Sequence, residues 1–246
     1  MYKTTNALIL REVKYKEADR ILTMLTQSDG KMGAKAPGAL RKGSKFGAGT
    51  QALCYSELTL YEYKGKWSVK EAVVLEEFQG LRLDIRNLAL AFYFAECVET
   101  LSQEGVPDAE MLQLILNSLY ALSVGLCDPL KIKAAFEFRL MKIAGFEPNV
   151  QECATCGNEP KGTVLFSPLS GGVHCDTCRP NGQELVDLPG NGLEAMKYFL
   201  YADAKKLFAF PLEGIPLKKL AHAAERYLIT QTEKNYSSLD YWKKVK

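Results

Sequence analysis

Cys153-Ala-Thr-Cys156 and Cys175-Asp-Thr-Cys178 are two Cys-x-x-Cys pairs with eighteen residues between them. The spacing falls in the window typical of a four-thiolate zinc site. Each pair wraps two sulfurs around one corner of a metal, and two such corners complete a tetrahedron. Gly157 follows the first pair and Gly171-Gly172 precedes the second, where glycine lets the backbone bend back on a bound ion. Four thiolates leave no open coordination position, so the expected site holds one structural Zn2+ on Cys153, Cys156, Cys175 and Cys178. Two unrelated thiol pairs, or two disulfides, are the competing readings. His174 abuts Cys175 and is an alternative to one thiolate ligand.

A second group has no catalytic character. Lys31, Lys35, Arg41, Lys42 and Lys45 fall in one stretch without Asp or Glu. The chain carries a formal net charge of only +2, so it is no global polycation. A local run of this kind can still attract phosphates. Its bland alternative is a solvated surface loop. Motifs for catalysis are missing. Gly33-Ala-Lys-Ala-Pro-Gly38 has the glycines of a phosphate loop, but Ala39-Leu40 stands where Lys and Ser/Thr belong. The zinc-deaminase signature requires His-x-Glu ahead of Pro-Cys-x-x-Cys, and neither is present. A redox thiol pair belongs at a helix start in a βαβ frame, not in a Gly/Pro-rich segment.

The elements that must position these groups change character near residue 79. Before it, alternating runs at 5–13, 19–27, 53–63 and 67–75 read as strands, joined by a short strand over 31–36. Ser28-Asp29-Gly30-Lys31 is a hairpin signal between two of them. Residues 38–51 read as a mobile loop. Five short strands with one long loop indicate a small barrel of the OB type. Tyr55, Tyr61, Tyr63 and Trp67 lie on its strands, where rings beside a cationic groove stack the bases of single strands; packing in the core is the alternative. From residue 80 the period becomes helical, with candidates at 82–103, from a cap at Asp108 to about Val124, from Pro129 to just before Gly145, and near 190–203 and 214–236. Asp128, Pro129 and Gly145 bracket the third. Lys131, Lys133, Arg139 and Lys142 on that helix are candidate contacts for an acidic peptide tail. The cysteine segment, about 150–182, is rich in breakers and reads as an insert with little core of its own, stapled by its metal. The expected class is therefore α+β: an N-terminal OB-fold β-barrel over 1–79, then an α-helical domain over 80–246 carrying a four-cysteine zinc module.

Hydrophobic content of 47% and charged content of 24% are ordinary for a globular protein. No run of eighteen apolar residues marks a membrane span, and the N-terminus lacks the h-region of a signal peptide. Cys54, Cys97 and Cys127 sit singly in apolar stretches and read as buried reduced thiols, which fits a reducing cytoplasm.

Several segments together resemble the RecO family of bacterial recombination mediators. They are Leu10-Arg-Glu-Val-Lys-Tyr-Lys-Glu-Ala-Asp-Arg-Ile-Leu-Thr23, Gly30, the Gly38-Ala39 loop with Arg41 and Lys42, and Phe136-Glu-Phe-Arg-Leu-Met141. Gly145-Phe146, Pro148, Phe166 and the cysteine segment complete the match. The loop departs from the family pattern at Pro37, Leu40 and Gln51-Ala52-Leu53. The resemblance implies binding to single- and double-stranded DNA, strand annealing, and loading of the RecA recombinase onto DNA coated by single-strand-binding protein. It also implies RecR, RecF and the acidic tail of single-strand-binding protein as partners. The alternative from another class is a zinc-containing protein–protein interaction scaffold without direct DNA binding. No membrane partner and no enzyme activity are expected.

Overall fold

The computed structural model describes residues 1–160 and 162–245. They group into two compact units, Met1–Ser123 with Tyr236–Lys246, and Val124–Asn235.

In the first unit, β1 (Tyr2–Tyr15), β2 (Asp19–Thr26), β3 (Gly30–Ala36), β4 (Tyr55–Tyr63) and β5 (Lys66–Glu76) close into a barrel of order β1-β2-β3-β5-β4. Strand alternation sends Ala7, Ile9, Leu22, Met24, Leu58, Leu60 and Val69 inward to form its core. The long β1 serves two neighbours. Its first half pairs with β4, Tyr2 opposite Tyr61, and its second half with β2, Tyr15 opposite Asp19. A register shift between Ile9 and Arg11 bends the strand where it changes partner. Closure comes from a parallel contact of β3 with β5, Lys35 opposite Ser68. The barrel expected from the alternation is thus present.

Gly30 ends the β2–β3 turn at φ +61°. A Cβ there would stand 1.9 Å from the Val106 carbonyl oxygen, so glycine alone lets the segment after the first helix lie against β3. Residues 38–51 are not the free loop expected. Arg20 donates to Gly47 O at 2.6 Å and to Thr50 Oγ1 at 3.0 Å, and Gly38 N donates to Asp19 Oδ1 at 2.7 Å. Ala39 and Thr50 are buried. Successive turns, pinned to the β1–β2 end of the barrel, satisfy the backbone in place of a ladder.

Helices α1 (Ile85–Leu101) and α2 (Ala109–Ser123) start at Asp84 and Asp108, whose carboxylates accept from Arg86 N at 2.9 Å and Met111 N at 2.8 Å. In the second unit α3 (Pro129–Ile143) has the expected bounds, with Asp128 accepting from Leu130 N at 2.8 Å. α4 (Gly192–Tyr201) and α5 (Gly214–Thr232) follow. The last expected helix, 214–236, ends four residues early. Glu233 turns left-handed at φ 50° and ends α5. A separate α6 (Ser237–Val245) then belongs to the first unit, where Tyr236 meets Tyr93 edge-on at 5.7 Å. No helix among the described residues is long and apolar enough to cross a membrane.

The cysteine segment has more core than its breakers suggest. β6 (Asn149–Cys153), β7 (Val164–Ser167), β8 (Gly172–Cys175) and β9 (Val186–Leu188) form one sheet of order β6-β8-β7-β9. All four residues of β7 are buried. Phe166 meets Phe138 of α3 at 6.0 Å and Tyr227 of α5 at 5.4 Å, both edge-on. A strand covered on both faces loses its alternation, which is why this one was not read.

Candidate metal centre and nucleic-acid interface

Cys153 ends β6 and Cys175 ends β8, and these strands run parallel with Cys153 opposite Val173. Parallel pairing therefore brings the two knuckles to the same end of the sheet. Gly157, at φ +71° and with open space where a Cβ would stand, turns the first knuckle. The sulfurs of Cys153, Cys156, Cys175 and Cys178 all lie within 4.8 Å of one another. Tetrahedral zinc with Zn–S bonds near 2.3 Å would set its sulfurs about 3.8 Å apart. The donor set therefore fits a thiophilic metal ion. Burial opposes ionisation of Cys153, but backbone N–H groups of Cys156, Cys175 and Thr155 outweigh it and bring the thiol down to about 6. A hydrogen bond to Cys156 pushes Cys178 up to about 11. Cys153 thus ionises more readily than an ordinary thiol, whereas the thiolate of Cys178 would be favoured by a bound cation.

His174 is not among the clustered donors. It is buried, with Nδ1 3.0 Å from Thr155 Oγ1. Gly171 serves a different end from the one expected. It turns the β7–β8 hairpin at φ +65°, and a Cβ there would meet Tyr227 Oη at 2.8 Å. All seven cysteines are free of disulfides; Cys54 and Cys97 are buried as expected, whereas Cys127 is half-exposed.

The five cations of the basic segment are not equivalent. Arg41, Lys42 and Lys45 are exposed and line one cleft of about 580 Å3 with Lys70, Phe46 and Val73. Glu71 also lines it. Lys35 is ion-paired with Asp19 at 2.8 Å and sits over the Tyr15 ring. The hydrogen bond from Lys35, then that from Gly38 N–H, hold the Asp19 carboxyl below its ordinary range. Lys31 donates to the Glu99 carbonyl of α1 at 2.8 Å. Three of the five thus gather in a cleft and two are committed to internal contacts. Lys70 was missed because it lies on β5, far along the chain; its place between inward Val69 and exposed Glu71 was the available signal.

Of the barrel aromatics named from the sequence, Tyr61 meets a cleft cation, with Lys70 over its ring at 5.4 Å, but the four do not form a row beside the cleft. Trp67 packs against the barrel core, and Tyr61 stacks on Tyr2 at 4.9 Å. Tyr63 is exposed, with Lys64 over its ring at 5.4 Å. The cations of α3 are a plain correction. Lys133 is 1% exposed and paired with Glu137 at 2.8 Å and Glu225 at 2.9 Å. Arg139 donates to the carbonyls of Phe199 at 2.8 Å and Ala202 at 2.6 Å. Lys131 reaches Phe210 O at 3.3 Å, and Lys142 lies 4.1 Å from the centre of the Tyr201 ring. Most of this charge is spent holding the second unit together, and Lys133 faces no solvent.

Comparison with known proteins agrees along nearly all of the chain. The family model "Recombination protein O N terminal" matches residues 1–78, and "Recombination protein O C terminal" matches residues 82–240. The DNA repair protein RecO of Acetivibrio thermocellus is 36% identical over 242 residues, covering 98% of this chain and 96% of that protein. That of Symbiobacterium thermophilum is 30% identical over 239 residues, covering 96% and 94%. With barrel, helices and four-cysteine cluster in place, the chain belongs to the RecO family of DNA repair proteins.

Proposed function

We propose that this protein is a non-enzymatic mediator of recombinational repair that binds DNA through its barrel. The observation that carries the proposal is the exposed cluster of Arg41, Lys42, Lys45 and Lys70 in one cleft of the barrel. Cations placed without a row of stacking rings track phosphates rather than bases, so affinity is expected to be largely independent of sequence. Lys35 lies one step behind them and Lys31 contributes chiefly to the fold. Residues 1–79 form the DNA-binding domain in this proposal, and 80–246 the helical domain with the metal-bearing insert at about 150–182. The metal is one Zn2+, held on four sulfurs and structural in role. Membership of the family supports action on single- and double-stranded DNA, strand annealing and loading of RecA in the cytoplasm. It also supports RecR, RecF and the acidic tail of single-strand-binding protein as partners.

Titration of a labelled single-stranded oligonucleotide at several salt concentrations tests the core of this. Four phosphate contacts predict that log K falls against log salt with a slope of about −3. Replacing Arg41, Lys42 and Lys45 together by Ala should leave a slope of about −1. A salt-independent affinity, or no loss in the triple variant, would refute the barrel cleft as the DNA site. Absence of any DNA binding would instead favour the protein–protein scaffold. Strand annealing on DNA coated by single-strand-binding protein then tests the mediator role.

A further inference from the structure

Thr155 lies inside the first knuckle, between Cys153 and Cys156, yet its side chain is spent on the second. Its hydroxyl donates to the Cys178 carbonyl at 3.2 Å and stands 3.0 Å from His174 Nδ1. A hydroxyl has one proton to give. The carbonyl can only accept it, so His174 Nδ1 carries a proton and donates to Thr155 Oγ1. The other ring nitrogen is Nε2. Among the described residues it is buried without a partner, a condition an acceptor tolerates better than an N–H does. His174 is itself fixed: it is buried, and on β8 it stands opposite Leu165 of β7.

The four cysteines are not held equally. Cys153 and Cys175 terminate strands, whereas Cys178 ends a short 3-10 turn over Asp176–Cys178. The hydroxyl bond to its carbonyl ties the first knuckle to the end of that turn, beside the thiol contact of Cys178 with Cys156 and the Cys175 N–H bond to Cys153 Sγ at 3.4 Å.

We propose that Thr155 and His174 are positioning residues of the metal centre. The chain from imidazole to hydroxyl to the Cys178 carbonyl straps the second knuckle to the first and gathers the four sulfurs before an ion enters. Neither residue touches the metal. The proposal rests on the metal-site reading above, and outer partners of this kind commonly change metal affinity by about 10–100-fold.

The test is cobalt and zinc loading of the full chain. Thr155→Val keeps the branched shape and removes the hydroxyl. It should release zinc to a chelator at least about ten times faster than the parent. At saturation its cobalt form should still show the charge-transfer bands of a four-thiolate site. Thr155→Ser, which restores the hydroxyl, should return release to the parent rate, and His174→Phe should behave as Thr155→Val. If Val crowds the knuckle, Thr155→Ala against Thr155→Ser makes the same comparison. Equal release rates for the parent and the hydroxyl-free variants would overturn the strap and leave the metal site standing. A parent that takes up neither metal would overturn the metal site, and the strap with it.

Discussion

Replacing Lys133 by Met probes the charged core of the second unit. Lys133 is 1% exposed, Glu137 0% and Glu225 13%, and the ammonium lies 2.8 and 2.9 Å from the two carboxylates. Met fills nearly the same volume, so packing changes little. What changes is that two carboxylates share a buried space without this cation. Breaking a buried ion pair by removing one partner costs about 3–5 kcal/mol. For a unit of this size that corresponds to a fall in Tm of roughly 10–20 °C. The pH dependence has a sign. Burial works against the Lys133 charge, but Glu137 and Glu225 outweigh it and hold its pKa above 10.5. The stabilisation is therefore full below 10.5 and lost as pH rises through the higher folded value. Lys133→Met should lack that alkaline limb and should regain stability on acidification, as a buried carboxylate takes up a proton. Both tryptophans, Trp67 and Trp242, lie in the first unit, so far-ultraviolet circular dichroism or calorimetry is the right probe. Replacing all three members, Lys133→Met with Glu137→Leu and Glu225→Gln, should recover most of the loss. A single Lys133→Met variant within about 1 kcal/mol of the parent at neutral pH would refute a buried, mutually dependent triad.

Gly30→Ala should destabilise the first unit by at least about 2 kcal/mol, because a left-handed backbone and a 1.9 Å approach to Val106 O act together; urea unfolding followed by Trp fluorescence measures it. Ala at Gly43, left-handed too but with open space around it, isolates the backbone part of that loss. Elemental analysis of protein purified without chelator should give one zinc per chain. Cys153→Ser or chelation should lower the Tm of the second unit, and an unchanged Tm with no bound metal would exclude a structural site.

Legibility followed range along the chain. Helix α3 was readable to the residue because Asp128, Pro129 and Gly145 act on their own neighbours. The barrel strands were readable because each has one face in the core, so alternation survives in the sequence. The buried strand β7 has two covered faces and carries no alternation. Helix α6, nine residues long, lies beyond the last helix that the pattern predicts, 214–236; the chain leaves α5 at the left-handed Glu233 and starts again at Ser237.

The site divides in the same way. Spacing alone identified the four cysteines, since a Cys-x-x-Cys turn is local and two turns suffice for one ion. Charge alone identified the basic segment, but not which of its cations are available. That depended on tertiary contacts: Asp19 claims Lys35, the Glu99 carbonyl claims Lys31, and β5 brings Lys70 to Arg41, Lys42 and Lys45. Likewise Lys133 looks like any helix lysine until α5 presents Glu225 to it. Residue type and local spacing are properties of the chain. Whether a charge meets solvent, a carboxylate or another charge depends on distant segments, and only the folded molecule decides it.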